Sequence, residues 1–170
     1  PLVGEDGSLR EDDPSRQPQV TEYIRGRRSD LPIVPLINNW NGHEWEGKKL
    51  GRMLANPAAR AHLIEQLADY AERHRFAGVS IDFENIPVKS HPHFQRFITE
   101  LSADLHPKNL RLSVNVPAND PNFGYRNLAR NADELILMAY DQHWSTGAAG
   151  PIAGLPWFAQ VLNQRQRDIP

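Results

Sequence analysis

The chain has no cysteine among its 170 residues. That excludes disulfides and thiolate chemistry, and it leaves the redox compartment unspecified. Long apolar runs are also missing: no stretch approaches the roughly 20 residues that a membrane span requires. Neither sign of charge dominates, with 19 Lys and Arg against 21 Asp and Glu. A net charge of −2 gives no reason to expect nucleic acid or an anionic membrane as partner. No H-E-x-x-H occurs, and the single H-x-H, His91 and His93, has no second ligand cluster to join, so no metal is expected. His91 fits better as part of a helix start. There is no internal repeat, and no glycine-rich phosphate loop follows a strand-like run. The first residue is Pro1 rather than Met, without a basic and apolar leader, so any targeting signal has been removed or lies upstream. What is present is the composition of a soluble globular domain, 39% hydrophobic and 24% charged. The length suits one domain with a real core. The 14 prolines are scattered, which fits frequent loop and helix boundaries.

The most informative run is Phe76 to Asn85. Val79, Ile81 and Phe83 alternate with Ser80, Asp82 and Glu84, a period of two that predicts a β-strand over Gly78 to Phe83 with the polar set on one face. Two carboxylates two residues apart on a strand have Cα atoms about 6.6 Å apart. Both can reach one substrate, and each makes ionising the other harder. A carboxyl held in that way can stay protonated near neutral pH, as a general acid must.

The remaining chain reads as alternating helices and strands. Residues 1–17 are polar, with Gly and Pro, and read as a loop or tail. A short helix fits Pro18 to Arg28, with Val20, Tyr23 and Ile24 on one face. Leu31 to Asn39 reads as a buried strand that ends in Asn38, Asn39 and Trp40. Asn41 to Gly51 reads as a loop lining a cleft. Asn56-Pro57 is a helix start, cap then first-turn proline, and the helix should run to about Arg75. A further helix begins at Ser90-His91-Pro92 and presents Phe94, Phe97, Ile98, Leu101 and Leu105 to a core. Strands follow at Leu110 to Val116 and Glu134 to Tyr140, with a short helix between them around Tyr125 to Arg130 and a last helix over Leu155 to Arg167. Strands alternating with helices imply parallel βαβ units, in which ligands gather at the carboxyl ends of the strands. Those ends carry Asn38 and Asn39, Asp82 and Glu84, Asn115, and Tyr140 with Asp141. A doubly wound open sheet is the alternative architecture.

The run Ala77-Gly78-Val79-Ser80-Ile81-Asp82-Phe83-Glu84 resembles the fourth-strand signature of glycoside hydrolase family 18, the chitinase-like barrels, whose pattern is D-G-x-D-x-D-x-E. Two acidic positions are replaced, by Ala77 and Ser80. The form G-V-x-I-D-F-E-N is most similar to the branch of spore and cell-wall glucosaminidases. Leu137-Met138-Ala139-Tyr140-Asp141 resembles the family's M-x-Y-D element on the sixth strand. The two motifs are separated by a helix, a strand and a short helix, the spacing such a barrel requires.

The resemblance implies an α/β fold, a (β/α)8 TIM barrel that is incomplete here, with about strands three to six and their helices. A whole barrel needs about 250 residues. The chain 1–170 would be a single partial catalytic module. The resemblance further implies hydrolysis of β-1,4 bonds at N-acetylglucosamine in chitin, peptidoglycan or a related polysaccharide, by substrate-assisted catalysis without metal or organic cofactor. Glu84 would be the acid and base, Asp82 would orient the acetamido group, and Tyr140 would hold its oxygen. Asp141, Met138, Asn115, Asn39, Trp144 and Ser80 would contact substrate. Trp40 is a further stacking candidate. MAYDQHW continuing to GPIA is similar to bacterial members, including modules joined to polysaccharide deacetylase or glycosyltransferase domains. A non-hydrolytic sugar-binding module and a purely structural segment remain the competing readings.

Overall fold

The computed structural model describes residues 1–11 and 16–169. Its centre is a six-stranded sheet. We number the strands β1 (Leu2–Val3), β2 (Leu9–Arg10), β3 (Leu36–Asn38), β4 (Gly78–Asp82), β5 (Arg111–Pro117) and β6 (Glu134–Met138). The helices are α1 (Arg16–Arg27), α2 (Gly47–Ala55), α3 (Pro57–Arg73), α4 (His91–Leu105), α5 (Tyr125–Asn131) and α6 (Leu155–Gln166). The spatial order is β2-β1-β3-β4-β5-β6. All neighbours are parallel except the β1–β2 hairpin.

The alternation predicted for β4 decides the layering. Val79, Ile81 and Phe83 are buried with Leu112, Val114 and Val116 of β5 under the apolar faces of α3 and α4. Phe83 meets Phe94 and Phe97 with ring centroids 6.1 and 5.8 Å apart. Each such side chain contributes about 1.5–3 kcal/mol by leaving water. The opposite face carries Ser80, Asp82, Ser113 and Asn115, and at its margins Leu36 and Ile136, 42% and 44% exposed. Helices thus cover one face only. That is an arc of a β/α barrel and not a doubly wound sheet, which would have both faces covered.

Local chemistry accounts for the helix starts. The Asn56 side chain accepts the N–H groups of Ala58 and Ala59 at 3.0 and 3.4 Å, and Pro57 occupies the first helical turn. Arg60 is buried inside the bundle. Its guanidinium donates to both carboxylate oxygens of Glu100 at 2.8 and 3.2 Å and to the Leu54 carbonyl at 2.7 Å. One side chain therefore ties α3 to α4 and to the end of α2.

Several expectations need correction. Residues 1–17 are not simply a loop or tail. Val3 is buried, Gly7 turns the chain at φ +81°, and the Leu9 N–H donates to Gln66 of α3 at 3.0 Å. Strands of two residues are too short to display a period. Residues 12–15 of that stretch lie outside the described residues. The strand expected over Leu31 to Asn39 pairs regularly only at Leu36–Asn38, because Pro32 and Pro35 have no N–H to give. The Ile33 and Pro35 carbonyls still accept from Ala77 and Ser80 at 2.9 Å each. The loop expected from Asn41 to Gly51 gives way to helix α2 at Gly47. Its glycines serve close approach: a Cβ on Gly47 would lie 1.8 Å from the Asn85 carbonyl oxygen, and one on Gly51 2.7 Å from Ser90 Oγ. The β6 pairing stops at Met138, two residues before the expected Tyr140.

Candidate active site

The two strand ends that carry the motifs leave their strands in the same way. Asn85, directly after Glu84, has φ +54°; Asp141, directly after Tyr140, has φ +57°. This left-handed region is costly for most side chains, and Asn and Asp tolerate it best. Each motif thus ends in a residue type suited to a sharp exit that leaves the preceding side chain at the strand tip.

Glu84 is fixed from behind. The Asn39 side-chain amide donates to the Glu84 carbonyl at 2.9 Å, and the Glu84 N–H donates to Asn39 Oδ1 at 2.9 Å. Asn39 is 1% exposed. It was expected to contact substrate; in the structure both ends of its amide are spent on the Glu84 backbone. A strand-end Asn reads the same way in sequence whichever it does.

The Glu84 carboxyl and the Tyr140 ring share the wall of a cavity of about 390 Å³ with Met138, Asp141, Trp144 and Trp157. Glu84 and Met138 also border a second hollow of about 290 Å³ beside Asp120 and Phe123. Burial, then the charge of Asp82, then that of Asp141, push the Glu84 carboxyl above the usual carboxylate range. Burial and the charges of Glu84, Asp82 and Asp141 push the Tyr140 hydroxyl up as well. The four groups therefore sit within one another's fields. Asp82 is 7% exposed, and its Oδ1 has no protein partner.

The expected site residues separate into two sets. Glu84, Met138, Tyr140, Asp141 and Trp144 come together on the cavity wall. Asp82, Ser80 and Asn115 lie inside the arc. Ser80 is buried one pair below Asp82, opposite Ser113, with its Oγ unpartnered. That depth makes it a neighbour of Asp82 and not a wall residue. The register that sets Ser80 opposite Ser113 brings Asn115 abreast of Asp82, and Asn115 Oδ1 is also buried without a partner. Trp40 stands apart from this cavity, its ring 5.3 Å from Trp45. His91 is committed to the backbone: its ring nitrogens lie 3.1 Å from the Asn122 and Ile86 carbonyls.

Sequence reasoning missed Trp157 and the loop that carries the far wall. Trp157 lies in the first turn of α6, where an aromatic residue reads as helix core. Gln142 organises the loop, accepting the Gly154 N–H at 2.8 Å, while its own N–H donates to the Ile152 carbonyl. The Tyr125 hydroxyl braces the near wall, donating to the Pro117 carbonyl at 2.7 Å and accepting from Asp120 at 3.0 Å.

A sequence model described as "Glycosyl hydrolases family 18" matches residues 3–166. The chain belongs to that family. The glycosylase YvbX of Bacillus subtilis, described as uncharacterized, is 25% identical over 174 residues, covering 96% of this chain and 49% of its own length. A chitinase structure from Chromobacterium violaceum superposes with a TM-score of 0.87 at 26% identity, covering 99% of this chain and 55% of its own. A class V chitinase structure from Pseudomonas fluorescens gives 0.89 at 25% identity, with 99% and 55% covered. The chain thus spans about half the length of these family 18 relatives. Its arc of parallel strands is part of their barrel.

Proposed function

We propose that the chain is part of a catalytic barrel module that hydrolyses β-1,4 bonds next to N-acetylglucosamine in a polysaccharide such as chitin or peptidoglycan, with retention of configuration. The observation that carries this reading is that Glu84 and Tyr140 line one cavity, where burial and the charges of Asp82 and Asp141 raise the Glu84 carboxyl. Glu84 is poised as general acid: it gives its proton to the glycosidic oxygen as the bond to C1 breaks. The acetamido oxygen of the sugar forms the new bond to C1, giving a cyclic, positively charged intermediate. Asp82, buried and with a free carboxylate oxygen, accepts the acetamido N–H and stabilises that charge. The Tyr140 hydroxyl steadies the acetamido oxygen. Ionised Glu84 then takes a proton from water, which attacks C1 and opens the ring. Asp141 holds sugar hydroxyls, and Trp144, exposed at the mouth, offers a stacking surface.

Turnover of a chromogenic chito-oligosaccharide tests the reading, with Glu84→Gln as control. Hydrolysis that falls by about 10³-fold or more in the variant, with little change in KM, is expected of a general acid. Tight binding without turnover in the unaltered protein would instead make the site a sugar-binding one and overturn the hydrolase reading.

A further inference from the structure

On the rim beside β4, away from the cavity of Glu84, a groove of about 460 Å³ runs between α2 and the segment that enters α4. Lys48, Arg52, Lys89 and His93 line it, and no carboxylate does. Arg52 is partly spoken for, its Nε donating to Glu5 at 2.5 Å. Among the described residues neither Lys48 nor Lys89 has a carboxylate within ion-pair distance. Cations gathered on one concave surface without a carboxylate raise the local positive potential and favour an anion there.

The groove continues toward the active site. A neighbouring hollow of about 440 Å³ shares Lys48 and Arg52 with it and reaches Asn85, the residue after Glu84. Trp45 lines that hollow and packs against Trp40, a pair whose rings offer apolar faces to a sugar. Glu44 and Glu46 are also there, but Glu46 is occupied by Lys49. Aromatic surface leading into unpaired cations suits a sugar chain bearing acidic groups. A neutral chain of N-acetylglucosamine would leave the cations unused.

We propose that this groove binds carboxylate or phosphate substituents of an anionic glycan, and that the polymer engaged by the chain is acidic. The proposal rests on the reading of the chain as a glycan-processing module, but not on Glu84 chemistry. Lys48 and Lys89 supply the free charge, Arg52 a shared one.

Binding to three soluble chitins separates the possibilities: neutral glycol chitin, carboxymethyl chitin and phosphorylated chitin, measured by affinity electrophoresis. The unaltered protein should hold at least one acidic chitin about tenfold more tightly than the neutral one, the gain expected from two exposed charge contacts. The carboxymethyl and phosphoryl arms tell which acid is preferred. The preference should collapse in about 0.5 M NaCl, where screening is nearly complete over a few ångströms. Lys48→Gln combined with Lys89→Gln should abolish it while glycol chitin binding and the thermal midpoint stay unchanged. Equal affinity for neutral and acidic chitins, or a preference that survives the double substitution, would overturn the proposal. So would a single-stranded DNA 12-mer bound as tightly as the acidic chitins, since the groove would then be a general polyanion surface. Loss of turnover in every chito-oligosaccharide with the acidic preference intact would remove the hydrolase reading and leave the groove.

Discussion

Asn39 and Glu84, 45 residues apart in sequence, are joined by two hydrogen bonds of 2.9 Å that run in opposite directions between a side-chain amide and a peptide backbone. The pair acts as an extra rung of the sheet beyond the last regular pairing of β3 with β4, Asn38 with Asp82. It fixes the backbone of Glu84 where the ladder has ended, so the direction of the Glu84 side chain is set by β3 as much as by β4.

Removing that rung should be costly. Asn39→Ala leaves the part-buried N–H and carbonyl of Glu84 without these partners, and we expect a loss of about 2–4 kcal/mol in urea unfolding. Asn39→Asp keeps the acceptor for the Glu84 N–H but sets a buried carboxylate oxygen against the Glu84 carbonyl, so its loss at neutral pH should be at least as large. Turnover should fall in both variants through kcat with little change in KM, the signature of a displaced acid. A variant of unchanged stability and kcat would show that the rung does not hold Glu84.

The raised Glu84 carboxyl makes the pH dependence specific. With Glu84 as the proposed general acid, activity should fall as pH rises through its folded-state pKa. Asp82 contributes more than Asp141 to that elevation. Asp141→Asn should therefore move the alkaline limb of kcat/KM slightly toward lower pH, and Asp82→Asn should move it further, while lowering kcat as well. The same shift has a stability sign. A carboxyl whose folded pKa lies above its unfolded value of about 4.3 favours folding most below that value, and the contribution is lost as pH rises through the folded pKa. Glu84→Gln should accordingly raise the thermal midpoint at pH 8 and leave it almost unchanged at pH 4. A midpoint unmoved at pH 8 would contradict the elevation.

Glu100 should show the opposite sign. Its hydrogen bond to Arg60 is the main cause of a carboxyl held below the usual range. The stability this provides is present above the unfolded pKa and is lost as pH falls through the lowered folded one. Glu100→Gln should flatten the acid side of the stability curve between about pH 5 and pH 2. Arg60→Ala strips the Leu54 carbonyl and Glu100 of a buried donor and should cost about 2–3 kcal/mol, less than a fully buried pair because Glu100 is one-third exposed and also meets Arg96. Arg60→Met, which restores packing, should recover part of that loss.

The barrel arc, and the gathering of Glu84, Met138, Tyr140, Asp141 and Trp144 on one cavity wall, could be read from residues alone because their signals are local. The period of two from Val79 to Glu84 fixed which side chains face the interior, and Asn56-Pro57 marked a helix start that the structure repeats atom for atom in its cap. What escaped depends on partners distant in sequence. Asn39 looks like a ligand until its amide is seen on Glu84. The β1–β2 hairpin has too few residues to carry a pattern, and it is held by Gln66 of α3. Trp157 lines the cavity from a helix whose entry, Gly154, is tied by its N–H to the Gln142 side chain, 12 residues back.

Helix α2 offers the sharpest case, because glycine there argues for a loop in sequence and for contact in space. Gly47 opens the helix against the Asn85 carbonyl, and any Cβ would overlap that oxygen at 1.8 Å. The oxygen belongs to the backbone of a residue already in the left-handed region, so it cannot swing aside as a side-chain tip would. Gly47→Ala must then push α2 outward or drag Asn85, and Glu84 with it, away from Asn39. Overpacking of this kind costs about 1–3 kcal/mol. The functional loss should be larger than the stability loss, because a displacement of about 1 Å at a reacting group can cost about 10²-fold in rate. Unfolding and kcat measured together decide the matter. Gly26→Ala, where a Cβ meets nothing within 4 Å, is the matched control on α1 and should leave kcat unaltered. If Gly47→Ala lowers stability while kcat stays intact, α2 yields and the strand tip does not, and the acid is held by Asn39 alone.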